Sequence, residues 1–496
     1  MFRLAVLLAA VSLCLAQDNP ASKAARVWRE AHERDILNEF VRLLSIPNIA
    51  SDKANIEKNA QTIAGMLTAR GVASKLLRVE GANPLVYGEI RTPEATRTVV
   101  LYAHYDGQPL DPKEWATPPF TPTLKKGSDR VDVSTATKID PEWRLYARST
   151  GDDKAPIIAM LTALDAIKSA GIRTKSNIRF AFEGEEEAGS ANLKRILEAH
   201  KDLLTGDVWL ICDGPVHQSR RQQVVFGARG VTSINITVYG PKHELHSGHY
   251  GNWAPNPAMA LSRLLASMKD DDGRILVEDY YKGVIPLSAA EKRAIAEAPS
   301  IDQMMMEELW LGRTENSGRR LEEAIALPSL NVRGMASARV GSGASNVVPA
   351  SATAAIDMRL VLGITPDQAV DRVTQHIRQQ GYYVTANEPT EDERRTHPKV
   401  AWVHRVERGY PAVKTSMDLP ISKEVIRVVE SARGPSIKMP TLGGSVPLYM
   451  IVDVLKTQCI LIPIANHDNN QHSFNENIRL QNLWDGIELM AALITM

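Results

Sequence analysis

Four short apolar stretches, at 98–103, 178–182, 208–212 and 459–464, punctuate the chain. Runs of this length and composition predict strands buried on both faces. Helical periodicity lies between them. Ile157, Ile158, Leu161, Leu164 and Ile167 repeat at helical spacing and stop before Gly171. Val27, Ile36, Phe40, Leu43 and Leu44 mark a helix over 22–44, a second spans 59–70 and is closed by Gly71, and a third reaches 204. Strands alternating with helices predict an α/β fold, a mainly parallel sheet with helices on both faces. Such sheets bind ligands at the carboxyl ends of their strands. Segment 107–145, rich in proline and charge, predicts loop and hairpin.

From residue 229 the pattern changes. Residues 231–238 alternate like a half-exposed antiparallel strand. A helix follows Pro257, a strand lies near 353–361, Thr365-Pro366 starts a helix to 380, and 382–384 closes the set. This order predicts an inserted α+β sandwich at 229–410, splitting the larger domain into 17–228 and 411–496. Residues 268–330 interrupt it with mostly helical, charged sequence, where Met304, Met305 and Met306 are expected in packing.

Charge and termini narrow the picture. Lys+Arg equals Asp+Glu, 58 each in 496 residues, so nothing points to nucleic acid or an anionic membrane surface. Arg3, the apolar run 4–15 and Ala16-Gln17 predict a signal peptide over 1–16, hence an exported protein with no membrane span once it is removed. Cys212 and Cys459, each in an apolar run, are expected as core residues rather than a disulfide.

The chemistry collects where the strands end. His104 and Asp106 follow the first stretch; Glu185, Glu186 and Glu187 follow the second; Asp213 follows the third; His472 and its rival His467 follow the fourth. Asp152 and Asp153 precede the helix of Ile157. An N-terminal cap explains one of these aspartates and leaves the other unexplained. Several carboxylates in one cleft resist desolvation unless cations offset them. Imidazole nitrogen with carboxylate oxygen, and no thiolate, suits zinc, with manganese or cobalt as alternatives. A carboxylate shared by two ions would hold them roughly 3.5–4 Å apart, able to polarise a scissile carbonyl and to acidify a water. A glutamate beside a ligand could take that water's proton.

The stretches Ala-His104-Tyr-Asp106-Gly-Gln-Pro, Thr-Gly-Asp152-Asp153-Lys-Ala-Pro, Glu186-Glu187-Ala-Gly-Ser, Cys-Asp213-Gly, Leu-His246-Ser-Gly, Gly-Gly444-Ser445-Val-Pro and His472-Ser-Phe-Asn-Glu stand in order over residues 104–477. In these the chain resembles the dinuclear metallopeptidases that include carboxypeptidase G, aminoacylases and succinyl-diaminopimelate desuccinylase. The Leu-His246-Ser-Gly and Gly-Gly444-Ser445 pieces favour the carnosinase-like dipeptidase branch. The resemblance implies two divalent ions per chain, bridged by Asp152. His104 and Asp213 would complete one site, and Glu187 and His472 the other. It makes Glu186 the general base and then acid, and has Asp106 orient the His104 ring. It implies a cis peptide between Asp152 and Asp153. It gives His246 the scissile carbonyl, and Asn346, Arg359, Gly444 and Ser445 the rest of the substrate. The inserted domain becomes a lid and dimerisation domain, with His246 reaching the partner's site in a homodimer. Peptide-bond hydrolysis of dipeptides or short peptides is the implied activity, with N-acyl-amino-acid amidohydrolase or carboxypeptidase as alternatives. A binding protein on a degenerate scaffold predicts a broken ligand set, and all five ligand positions are filled. One departure bears on substrate: the dipeptidase branch carries glutamate before Gly-Gly-Ser, where this chain has Leu442.

Overall fold

The computed structural model describes residues 19–136, 138–315 and 318–496. The expected signal segment lies outside the described residues. No helix among them is long and apolar enough to cross a membrane.

The main sheet has eight strands, in the order Ala73–Leu77, Leu85–Ile90, Asn177–Glu183, Thr98–His104, Val208–Ile211, Gln458–Leu461, Gln223–Val225 and Ile437–Met439. The third to sixth are the four apolar stretches, and all three pairings among them are parallel. Their carboxyl ends therefore share one edge. The flanks are mixed: the first two strands join antiparallel, and Gln458–Leu461 meets Gln223–Val225 antiparallel. Of these, only the first two strands are joined by a short connection, residues 78–84, which an antiparallel pair permits and a parallel pair does not.

Why the central strands lack polar alternation is visible in their packing. Val99, Leu101 and Ala103 enter one core and Val100 and Tyr102 the other; Leu210 and Trp209 divide in the same way. Helices Pro20–Leu44, Lys154–Ser169, Pro420–Arg433 and Leu480–Ile494 cover the first face. Leu193–Ala199 and Leu448–Leu455 cover the second. Cys212 and Cys459 are buried free thiols, one in each core. The helix expected to run to 204 is two, Leu193–Ala199 and Lys201–Leu204, separated at His200.

The second sheet runs Ser329–Ala336, Ser351–Leu360, Gly230–Tyr239, Val400–Tyr410, Tyr383–Thr385. Ser351–Leu360 alternates buried and half-buried along its whole length. Its apolar face packs with helices Pro257–Ala266 and Pro366–Gln379 in a third core. Sequence patterning missed Ser329–Ala336 and Val400–Tyr410 because most of their residues are not buried. The chain enters this unit at Gly227–Ala228 and leaves at Val413–Lys414, and these two segments pair antiparallel. Among the described residues of 268–330 helix is scarcer than expected, confined to the short helices Ala289–Glu297, Asp302–Glu308 and Leu321–Ala324.

Candidate active site

The shared edge of the parallel strands gathers the polar residues. His104 ends its strand fully buried, and Asp213 lies just past the neighbouring strand, also buried. Asp152 and Asp153 precede helix Lys154–Ser169 through a cis peptide bond, as the resemblance implied. Their loop is fastened by Glu476. This buried carboxylate accepts the backbone N–H groups of Ser149 (2.8 Å), Gly151 (2.9 Å) and Asp152 (3.0 Å), and pairs with Arg148 at 3.0 Å. Glu476 sits four residues after His472, so one side chain ties the Asp152 loop to the segment carrying the last histidine. Lys154 anchors the other side: its Nζ donates to Leu43 O at 3.1 Å and Asn59 Oδ1 at 2.7 Å. Burial pushes its pKa down to about 7.

Glu186 and Glu187 sit in a short 3-10 turn. Their backbone N–H groups donate to the two oxygens of Asp106, each at 3.0 Å. Asp106 thus ties the end of the His104 strand to the glutamate turn. Its role toward the His104 ring is weaker than expected: its Oδ1 lies 3.5 Å from Nδ1, beyond a good hydrogen bond, while its own backbone oxygen lies 3.2 Å away. Asp153 Oδ2 accepts the His104 backbone N–H at 3.2 Å. Gln108 Nε2 donates to Glu187 Oε2 at 2.7 Å. Glu185 turns away and accepts the Asn192 N–H at 3.0 Å, so it is occupied by the loop.

Across the cleft, His104 Nε2 lies 3.0 Å from Asp152 Oδ1, and His472 Nε2 lies 3.3 Å from Asp152 Oδ2 and 3.4 Å from Glu187 Oε2. Asp152 therefore stands between the two histidines. Among the described residues, no ion pair joins His467 to this cluster. Candidate ligand atoms of His104, Asp152 and Glu187 lie within 4.8 Å of one another, as do those of His104, Glu186 and Asp213. The first group cuts across the expected division by placing Glu187 with His104, and the second brings Glu186 among the ligand candidates.

The electrostatics call for positive charge. Burial pushes Glu186 well above the carboxylate range, with the charges of Asp213 and Glu187 adding to it. Burial, then Asp152, lifts Glu187 to about 8, and the same two causes lift Asp213 to about 6. Burial also opposes the charged forms of Asp152 and His104. It is outweighed by their mutual hydrogen bond, by His472 on Asp152 and by Asp106 on His104, so Asp152 is held low and His104 high. Carboxyls that gain protons on folding weaken the fold as pH rises through those values, unless a cation replaces the proton. Asp152 Oδ2 and Asp153 Oδ1 are buried with no hydrogen bond. A nitrogen–oxygen donor set with spare carboxylate oxygens fits one or two divalent ions.

The expected substrate residues fall in two places. Arg359 Nη1 donates to Ser445 Oγ at 2.8 Å, and Gly444 O accepts the Arg229 N–H at 3.3 Å, so the inserted unit and the Gly443–Ser445 loop touch. His246 and Asn346 are exposed neighbours on another edge: His246 pairs with Val347, and Asn346 O accepts the Ser247 N–H at 2.9 Å. The contacts of His246 are local: it accepts the Gly248 N–H at 3.1 Å, and its ring lies 4.6 Å from that of His249. Neither residue joins the carboxylate cluster.

Sequence reasoning missed Glu476 and Asn48 as supports. Glu476 carried a signal, its place in the His472-Ser-Phe-Asn-Glu stretch. Asn48, which donates to Tyr105 O at 2.7 Å and Ser149 Oγ at 2.8 Å, carried none.

The chain is similar to proteins of known activity. The family model "Peptidase family M20/M25/M40" matches residues 100–496. The Cys-Gly metallodipeptidase dug1 of Schizosaccharomyces pombe is 25% identical over 92% of this chain and 95% of its own. The Beta-Ala-His dipeptidase of Homo sapiens is 27% identical over 82% of this chain and 76% of its own. These two likenesses support the carnosinase-like branch. Among solved structures, the M20 family metallo-carboxypeptidase Sso-CP2 from Sulfolobus solfataricus superposes with a TM-score of 0.74 at 24% identity, over 93% of this chain and 98% of that one, and shares the fold. From the first of the four parallel strands to the last helix, then, this chain belongs to peptidase family M20/M25/M40.

Proposed function

We propose that the protein hydrolyses the amide bond of dipeptides or short peptides, using two divalent cations and Glu186 as general base. The observation that carries this reading is the cluster of His104, Asp152, Glu186, Glu187, Asp213 and His472 at one sheet edge, with the carboxyls of Glu186, Glu187 and Asp213 pushed toward protonation by burial. His104, Asp152 and Asp213 would hold one ion, and Asp152, Glu187 and His472 the other. When bound, such ions supply the charge that polarises a scissile carbonyl and acidifies a water. Zinc suits the donors, as do manganese and cobalt.

The chain's own groups perform the proton transfers. Glu186 takes a proton from the attacking water and returns it to the departing amine. Its backbone N–H is held by Asp106, which fixes the turn that carries it before substrate arrives. Arg359 and Ser445, already in contact, would hold the substrate carboxylate.

Substrate choice is where Leu442 matters. It packs among apolar residues where the dipeptidase branch has glutamate, and offers an ammonium group neither charge nor hydrogen bond. The carboxyl end should be recognised more strictly than the amino end, which favours N-acyl amino acids or N-acyl dipeptides as a second substrate class. The test is kcat/KM for a dipeptide and its N-acetyl form, each also as the C-terminal amide, on metal-reconstituted protein. Amidation should cost far more than acetylation. Turnover abolished by acetylation and untouched by amidation would sink this reading. Hydrolysis of none of the four would remove the peptidase proposal itself.

A homodimer completes the site. Edge strand Ser329–Ala336 leaves Val332 and Met335 exposed, a surface suited to a second copy. In such a dimer the partner subunit's His246 would stabilise the oxyanion. Mixing inactive Glu186→Gln with inactive His246→Ala subunits should restore some activity, since one site of the mixed dimer has both groups. Absence of recovery, with subunit exchange verified, would place His246 in its own chain's site.

A further inference from the structure

Beside the Gly443–Ser445 loop lies a recess of about 400 Å³, walled by residues within 269–315 and 319–330. Met305, Met306, Ile325 and Leu330 line it, together with one buried cation, Arg229. Two of the three methionines expected in packing, Met305 and Met306, thus line open space. Met is the side chain that adapts to varied apolar bodies.

Arg229 is the unusual feature. It is 7% exposed, and among the described residues no ion pair includes it; Asp357, the carboxylate whose charge acts on it, is paired with Arg359 at 3.5 Å. Its Nη2 donates to Leu327 O at 3.0 Å, while its Nε is buried without a partner. A buried charge of this kind is costly unless an anion joins it. Of the other charges around the recess, Lys269 pairs with Glu315 at 2.5 Å and Asp302 accepts the Leu321 N–H at 2.9 Å, while Arg319 is exposed to solvent at the rim. The recess and the substrate loop share a wall. The Arg229 backbone donates to Gly444 O, and Ile325 is the nearest neighbour of Gly443, 3.6 Å from where a Cβ would stand.

We propose that this recess binds an apolar monocarboxylate, its hydrocarbon body against Met305, Met306 and Leu330 and its carboxylate on Arg229. The volume suits a body of about eight to ten carbons, within the range of ligand pockets lined by apolar groups and a few polar ones. Two sources share this chemistry: a free fatty or aryl acid, and the carboxyl end of an apolar peptide substrate or its product. The inference does not depend on the peptidase reading, because binding is measurable without turnover.

The experiment is calorimetric titration of the full, metal-loaded chain with octanoate and with octan-1-ol. One octanoate per chain should bind, and the alcohol at least about tenfold more weakly, since it lacks the charge. Met306→Trp, which fills the recess, and Arg229→Met should each weaken octanoate by at least tenfold with metal content unchanged. Arg229→Met should melt no lower than the wild type in the absence of ligand, because it removes an unpaired buried charge. If that variant does not fold, the melting expectation has failed and Arg229 is a structural strut, which overturns its assignment as the anion site. Undiminished octanoate binding by Met306→Trp, or none by the wild type, overturns the recess itself. Competition between octanoate and an apolar dipeptide would identify the substrate's own end as the occupant. Binding without competition would identify a separate acid; either supports the site.

Discussion

Glu186→Gln is expected to keep its metal and its fold while kcat falls by at least about a hundredfold, the usual loss when an acid–base group goes. That corresponds to roughly 2.7 kcal/mol on the barrier. The amide preserves the shape of the side chain, and the backbone bond from Glu186 N to Asp106 does not involve the carboxyl, so the turn stays in place. Burial raises the carboxyl's proton affinity, which lets it hold a proton between the two halves of the reaction. Because the structure also brings Glu186 within ligand reach of His104 and Asp213, metal content must be measured beside turnover. Retained turnover would move the base elsewhere; lost metal would make Glu186 a ligand.

Asp152→Ala should abolish activity by emptying both ion sites, whereas Asp213→Ala should mainly weaken one. Asp152 is the carboxylate that reaches both histidines, at 3.0 Å from His104 Nε2 and 3.3 Å from His472 Nε2. Asp213 stands on one side only, grouped with His104 and Glu186. Removing Asp152 leaves the Glu476 bond to its backbone intact, so the loop keeps its anchor and the fold should survive. The check is elemental analysis of each purified variant with a melting curve. Equal metal loss in the two variants would mean that Asp152 does not bridge.

Much of this is legible in the sequence because the strands that carry the chemistry are buried on both faces. Continuous apolar runs such as 98–103 and 208–212 stand out in sequence, and their ends mark the cleft. The flanking antiparallel strands were not legible, since a three-residue strand such as Gln223–Val225 carries too little pattern. The same holds for Ser329–Ala336, whose residues beyond Leu330 are exposed. The ligand candidates were found by residue type, but the supports were not: Asn48 is an unremarkable polar residue until its donors meet Tyr105 O and Ser149 Oγ. Burial decides roles that type alone leaves open. Glu185 and Glu186 are adjacent and identical in chemistry, yet one is fixed to Asn192 and the other faces the cleft. Likewise nothing in the sequence marks Arg229 beyond its place before a strand, and only its burial without a counter-ion singles it out.

The claim on which the rest depends is that paired cations in this cluster drive amide hydrolysis. The direct measurement is to strip the wild-type chain with chelator, titrate zinc back, and follow bound metal and dipeptide or N-acyl-dipeptide hydrolysis in the same samples. Activity should be absent in the stripped protein and return as occupancy approaches two ions per chain. Full activity with no divalent ion bound would contradict the account.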